Sequence, residues 1–336
     1  MLRTLSNKVR NRYQWHVGGW ASRQSAWLAR KVRHPWPFVA PWRRSSLPVA
    51  RVGGIGDILM TTPALREVKR RNPACRITYY AGFPDVLRGL EYIDEVRPFG
   101  ERPPQAMVFL EGRGPFRRHL AHVFADQLGV EIPDVRPDCK VDPAAVDRWK
   151  LHWGDRTGPV VIVNRRCNTA TPNKDWQDES WVEAIHSLCG SGAIVAEIGL
   201  PAADANPIRC PGYEDYRGRT TLADLPAMIA AADLHVGPSS APHHMAAAFG
   251  KPTVVIYGGF EDPAGTAYDG NVNLFTRLPC SPCWLWTPCP YDRECLRRIK
   301  PNDVVRAAFS LWTGRLSRQP LLPRQSQRCE INGSAT

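Results

Sequence analysis

From about position 48 the chain alternates between short apolar runs and longer stretches with apolar residues at three- and four-residue spacing. Runs at 49–52, 77–80 and 106–110 predict strands, and Leu120, Val123, Phe124 and Leu128 mark one face of a helix. The second half repeats the pattern more clearly. A strand at 160–163 leads to a helix bearing Trp181, Ile185 and Leu188, then to a strand at 194–196. A helix over 222–232, a strand at 234–236, a helix stopping near Phe249 before Gly250, and a strand at 253–257 complete the series. Strands alternating with helices predict an α/β fold with parallel sheets covered on both faces. The polar, Pro- and charge-rich stretch 133–159 separates two such halves. The predicted organisation is a leader over 1–47, an N-terminal domain over 48–155, a C-terminal domain over 156–314 and a polar tail over 315–336. No repeat of fixed period is present.

Charge distribution changes the picture mainly at the N-terminus. Residues 1–50 carry ten Lys or Arg and no acidic residue, so the net charge of +12 is concentrated there and the rest holds 34 basic against 32 acidic residues. A body this close to neutral offers no general footprint for a nucleic acid. Trp15, Trp20, Trp27, Trp36 and Trp42 interleave with the basic residues, a combination suited to an anionic membrane surface. A basic arm without fixed structure, or one binding RNA nonspecifically, has the same composition. No stretch approaches the ~20 apolar residues of a membrane span, and the first 30 residues lack the apolar core of a secretion signal. The 10 cysteines, mostly scattered singly, suit a reducing compartment rather than a disulfide framework.

Two stretches carry candidate chemistry. In Arg51-Val52-Gly53-Gly54-Ile55-Gly56-Asp57 a strand runs through a glycine-rich turn into a helix. The turn lacks the Gly-Lys-Ser/Thr of a P-loop and departs from the dinucleotide fingerprint. Gly53, Gly54 and Gly56 allow close approach of a ligand to the backbone, and Asp57 falls at the carboxyl end of a strand, where open α/β sheets bind ligands. Asp57 either caps the following helix or acts on a substrate; the pattern leaves both open. In the second stretch, 233–248, a strand ends in Ser239-Ser240-Ala241 and opens a helix with Pro242 in its first turn. Ser240 is the expected N-cap, and the amide groups behind it suit a diphosphate.

Cys280, Cys283, Cys289 and Cys295 lie within sixteen residues. Four thiolates could wrap one structural zinc, although the later spacings are wider than usual for such a site. An iron–sulfur cluster or buried, packing thiols would account for the same residues.

Together with Asn173-Lys174-Asp175-Trp176, Gly250-Lys251-Pro252-Thr253-Val254-Val255-Ile256-Tyr257-Gly258 and Cys280-Ser281-Pro282-Cys283, these stretches resemble the ADP-heptose:lipopolysaccharide heptosyltransferases, glycosyltransferase family 9, over about 49–305. The resemblance implies a GT-B fold, two Rossmann-like domains facing across a cleft, with the acceptor on the N-terminal domain and the nucleotide-sugar on the C-terminal one. It implies inverting transfer with Asp57 as general base and with Lys174, Thr169, Ser239, Ser240, Ala241 and His244 around the donor diphosphate. Gly53, Gly54 and Gly56 would form the acceptor-side turn. No cofactor is required by such a reaction, and the sequence contains no Asp-x-Asp pair for a divalent metal. The implied partners are a nucleotide-diphosphate sugar, ADP-heptose in the family, and a lipid-linked glycan such as the lipopolysaccharide core; nucleic acid is not among them. The implied location is cytoplasmic, peripheral on the inner face of the bacterial inner membrane. Three features depart from the family pattern: Ser239-Ser240-Ala241 stands where Asp-Ser/Thr-Gly is usual, the segment from Asp57 to Lys174 is short, and the leader lies outside the family's core. A catalytically silent GT-B relative that binds glycan or nucleotide-sugar, and a basic, cysteine-cluster nucleic-acid binder, are the competing readings.

Overall fold

Unbroken apolar runs such as Val160-Val161-Ile162-Val163, fully buried in the computed structural model, need cover on both faces, and parallel sheets between helices supply it. The structure describes residues 40–100, 107–112, 114, 116–167, 171–201 and 207–314. Readings made of the leader up to Val39, of Thr169 and of the tail 315–336 lie outside these residues.

The first sheet is built from β1 (Ser46–Arg51), β2 (Arg76–Ala81), β3 (Glu95–Pro98) and β4 (Val108–Phe109) in the order β3-β2-β1-β4, all parallel. Val49 stands opposite both Tyr79 and Val108. After the glycine turn come α1 (Ile55–Leu59) and α2 (Thr62–Arg71), and after β4 comes α3 (Leu120–Leu128). The helical stretch behind the turn is thus two helices, because Pro63 lacks an N–H and favours the first turn of a new helix.

Next follows α4 (Pro143–His152), inside the stretch read as a polar break. Asp142 caps it, accepting from the Ala144 N–H at 3.0 Å. The second sheet comprises β5 (Val160–Val163), β6 (Ile194–Glu197), β7 (Tyr213–Asp215), β8 (Leu234–Pro238), β9 (Thr253–Ile256) and β10 (Val272–Leu274). Its order is β10-β9-β8-β5-β6-β7, again all parallel. The helices of this half are α5 (Asp178–Gly190), α6 (Asp224–Ala231), α7 (Ala241–Ala248), α8 (Glu294–Arg297) and α9 (Pro301–Trp312).

Both sheets share one logic: the chain starts centrally, winds outward, then returns to wind the other way. This places a switch point between β1 and β4 and another between β5 and β8, where the loops at the strands' carboxyl ends part to leave a crevice. The edge strands β3, β7 and β10 are short and partly polar, so no apolar run announces them.

The segment between the halves is fixed to the first of them. Asp138 accepts from Tyr92 Oη at 2.6 Å and pairs with Arg66 at 2.5 Å, while its N–H donates to Thr62 Oγ1 at 2.8 Å. Helix α4, by contrast, docks against α6 of the second half. There Trp153 Nε1 donates to Glu214 at 3.0 Å, and the Trp149 ring meets Tyr216 edge-on at 5.2 Å. One buried apolar cluster runs from Leu47, Ile58 and Phe124 of the first half into Ile162, Met228 and Met245 of the second. Trp42, the last tryptophan of the predicted leader, packs on this cluster and has the Arg71 guanidinium 5.9 Å from its ring.

Candidate active site

Strand β1 ends in Arg51, whose side chain is mostly buried and fixed on three sides. Its guanidinium pairs with Asp57 Oδ1 at 2.8 Å, donates to the Leu110 carbonyl at 3.1 Å and lies 5.4 Å from the Phe124 ring. Leu110 follows β4, so Arg51 ties the Asp57 carboxylate across the first switch point. The other oxygen, Oδ2, accepts from the Gly54 N–H at 3.0 Å. Asp57 therefore does cap α1, and one-third of its side chain still faces solvent. Gly53 makes this possible: a Cβ there would lie 2.8 Å from Asp57 Oδ2.

At the second switch point Ser240 occupies the N-cap position of α7, yet its hydroxyl does not cap the helix. It donates instead to the Pro238 carbonyl at 3.2 Å and accepts from Asn164 Nδ2 at 3.1 Å; Asn164 Oδ1 lies 2.7 Å from His235 Nε2. Turned toward the strand ends, the hydroxyl leaves the positive end of α7 without a side-chain cap, the arrangement an anion requires. Ala241 begins the helix. Ser239 is buried, with Oγ 3.2 Å from Thr266 Oγ1, and Thr266 bonds Tyr257 Oη at 3.0 Å.

Lys174 ends a single 3-10 turn, Pro172–Lys174. Thr171 Oγ1 and Asn173 Nδ2 donate to the Leu285 carbonyl, and Asn173 Nδ2 also donates to that of Thr287. Trp176 Nε1 donates to the Leu296 and Ile299 carbonyls. The cysteine-bearing segment is thus the buttress of the lysine turn. The Lys174 ammonium lies 2.8 Å from Glu261 Oε1 and 5.8 Å from the centre of the Phe260 ring. Burial pushes its pKa down, but the Glu261 carboxylate together with Cys167 and Asp57 outweighs that and holds it above the ordinary lysine value. The field of Asp57, from the first sheet, therefore reaches the lysine of the second.

The halves also touch directly. A Cβ on Gly56 would lie 2.5 Å from His244 Cδ2 and 3.0 Å from Nε2. His244 Nδ1 is hydrogen-bonded to Tyr268 Oη at 2.8 Å, and the Tyr268 ring is 4.9 Å from that of His119, which caps α3. Burial pushes the His244 imidazole down to about 3, so it is neutral at physiological pH.

Among the described residues, no three or more His, Cys, Asp or Glu side chains form a group that could hold a metal ion. Cys280, Cys283, Cys289 and Cys295 are free thiols that, as arranged, do not fit the zinc set their spacing suggested. Cys280 is exposed, and buried Cys295 accepts from the Gly259 N–H at 3.0 Å. No helix among the described residues is long and apolar enough to cross a membrane.

The structure thus gathers Asp57, Gly53, Gly54 and Gly56 at one switch point and Ser239, Ser240, Ala241, His244 and Lys174 at the other. The motifs do not reveal Arg51, Glu261, Thr266 or Tyr268. A basic residue closing a buried strand just before an Asp-bearing turn was a usable signal for Arg51. Glu261, Thr266 and Tyr268 follow β9 in a loop with no pattern of its own.

Residues 118–287 match the family described as glycosyltransferase family 9 (heptosyltransferase), a match covering half of the 336 positions. Lipopolysaccharide heptosyltransferase 1 of Pseudomonas aeruginosa is 26% identical over 203 residues, 54% of this chain and 55% of the relative; the match thus spans about half of that protein's length. Among solved structures, E. coli ADP-heptose lps heptosyltransferase II superposes with a TM-score of 0.62 at 16% identity, over 81% of this chain and 100% of that one. A glycosyl transferase family 9 protein of Veillonella parvula gives 0.61 at 17% identity, over 80% and 97%. The iron-containing dodecameric glycosyltransferase TibC of enterotoxigenic E. coli gives 0.62 at 19% identity, over 80% and 76%. At these identities the likeness is one of fold, and it bears out the GT-B arrangement.

Proposed function

Given that this chain belongs to glycosyltransferase family 9, we propose that it is an inverting, metal-independent glycosyltransferase moving a heptose from ADP-heptose to the lipopolysaccharide core or a related lipid-linked glycan. The observation that carries this reading is the opposition of a carboxylate and an ammonium across the two switch points. Asp57 is held at the end of β1, the Lys174 ammonium interacts electrostatically with Asp57 and with His244 in the first turn of α7, and Gly56 packs on His244.

In this mechanism Asp57 takes the proton of the acceptor hydroxyl as that oxygen attacks the anomeric carbon. The bond from that carbon to the diphosphate breaks on the opposite face, inverting its configuration. The electron pair leaves with the diphosphate, whose charge is met by Lys174 and the α7 amide groups. Arg51 orients the carboxylate, and Oδ2 must release the Gly54 N–H or share it. A TibC structure is described as complexed with ADP-D-beta-D-heptose, which supports that donor for this chain. The absence of Asp-x-Asp from the full sequence supports transfer without a divalent metal. The basic, Trp-rich leader supports a place on the anionic inner face of the inner membrane, where such an acceptor would lie.

Incubating the full chain with ADP-heptose and heptose-deficient lipopolysaccharide tests the reading. Transfer of one heptose with release of ADP, slowed by ~10²-fold or more in Asp57→Asn, is expected. Donor binding without transfer to any such acceptor would favour the catalytically silent relative.

A further inference from the structure

Lys174 has a partner for which the proposed transfer has no use. Glu261, on the loop between β9 and β10, pairs with it at 2.8 Å, and the two side chains are only 13% and 11% exposed. A diphosphate cannot take the ammonium without meeting that carboxylate, and a buried charge left without a partner is strongly unfavourable. Unless Glu261 finds a new partner when donor binds, it opposes the very ligand Lys174 attracts.

The other polar groups nearby are committed elsewhere. Ser239, Thr266 and Tyr257 form a closed chain of neutral hydroxyls, and His244 is held by Tyr268. Asp175 accepts from the Cys167 N–H at 2.8 Å, and Asp262 both caps Ala264 and pairs with Arg277. Asp57 is engaged by Arg51 and the Gly54 N–H. A sugar attached to the diphosphate must lie between Lys174 and Asp57, and its hydroxyls are hydrogen-bond donors. A carboxylate is the strongest acceptor to offer them.

We propose that Glu261 reads the donor sugar. Its carboxylate pairs with Lys174 as seen here; once a diphosphate takes over the ammonium, it turns to accept hydrogen bonds from hydroxyls of the sugar to be transferred. This rests on the assignment of Lys174 to the diphosphate.

Calorimetry on the full chain with ADP and with ADP-heptose, for wild type, Glu261→Gln and Lys174→Ala, separates the two assignments. Glu261→Gln removes the charge that opposes a diphosphate, so ADP should bind about 3- to 10-fold tighter. ADP-heptose should gain nothing or weaken, so the preference for ADP-heptose over ADP falls by about 3-fold or more. Equal tightening of both ligands would make Glu261 only an electrostatic guard. Unchanged affinities, or equal weakening of both, would make it a structural prop. Each of these outcomes overturns the proposal. Lys174→Ala should weaken both ligands; if it binds ADP as wild type does, the diphosphate assignment itself fails. Unchanged thermal midpoints in both variants establish that the comparison is between folded proteins.

Discussion

The Cδ2–Nε2 side of the His244 imidazole lies so close to Gly56 that a methyl group there would come within 2.5 Å of Cδ2. This contact joins the helix behind the glycine turn of one half to the first turn of α7 in the other. Gly56→Ala should therefore force the two apart, lowering the unfolding free energy by about 1–3 kcal/mol, the usual scale of overpacking, and slowing transfer. Gly54→Ala, whose new methyl would have its nearest neighbour, Asp57 Oδ2, at 3.5 Å, is the control. Equal melting temperatures and rates in both variants would mean that the contact does not constrain the halves.

Asp57→Asn keeps the shape of the side chain and removes the base. Turnover is expected to fall by ~10²-fold or more, with ADP affinity nearly intact because the variant leaves Lys174 and α7 in place. Stopped assays with saturating donor measure this. Turnover within a few-fold of wild type would return Asp57 to its helix-capping role alone.

Buried imidazoles predict the pH response. Burial pushes His119 down to about 4 and His235 and His244 to about 3, and holds His243 well below its ordinary value. The unfolded chain then binds protons below pH 6.5 that the folded chain does not. Stability is complete above that pH and is lost as pH falls from 6.5 toward the folded values, each histidine contributing a slope of up to about 1.4 kcal/mol per pH unit. Urea midpoints should drop steeply between pH 6.5 and 5. A flat profile there would show that these rings are not buried in neutral form.

Chelation tests the absence of a divalent metal from the chemistry. EDTA should leave transfer unchanged if, as proposed, Lys174 and the α7 amide groups supply the charge that a metal would otherwise provide. Loss of activity in a protein that stays folded, restored by Mg²⁺ or Mn²⁺, would contradict this.

The leader is best tested by removing residues 1–39. A cut at 47 would also take away Trp42, which packs on the core, and the start of β1. The truncated protein should lose binding to anionic vesicles at low salt and slow down on membrane-embedded acceptor, while its rate on a short soluble acceptor is unchanged. Equal sedimentation of both forms with the vesicles would make the leader something other than an anchor.

Much of the fold was legible because parallel strands buried on both faces must be apolar almost throughout, as 160–163 and 254–256 are. Strands β3, β7 and β10 were not, since an edge needs no such run. Helix α4 hid behind its polar face, although Asp142-Pro143 is a helix-start signal. For the site, Asp57 and Lys174 could be read because each sits in an ordered local motif. Glu261 and Tyr268 meet their partners 87 and 24 positions away in the chain, and nothing in local sequence encodes such a meeting.

The docking of α4 onto α6 has a mechanical consequence. That helix travels with the second half, whereas Asp138 is bolted to the first by Tyr92, Arg66 and Thr62. Among the described residues the chain passes between the halves only here, so any change in their relative orientation has to be taken up by the backbone around Cys139, Lys140, Val141 and Asp142. Pro143 fixes the backbone immediately beyond. A connection four residues long, held at both ends, restricts how far one half can slide past the other. If donor and acceptor bind on opposite halves as proposed, that restraint would bring them together in one alignment.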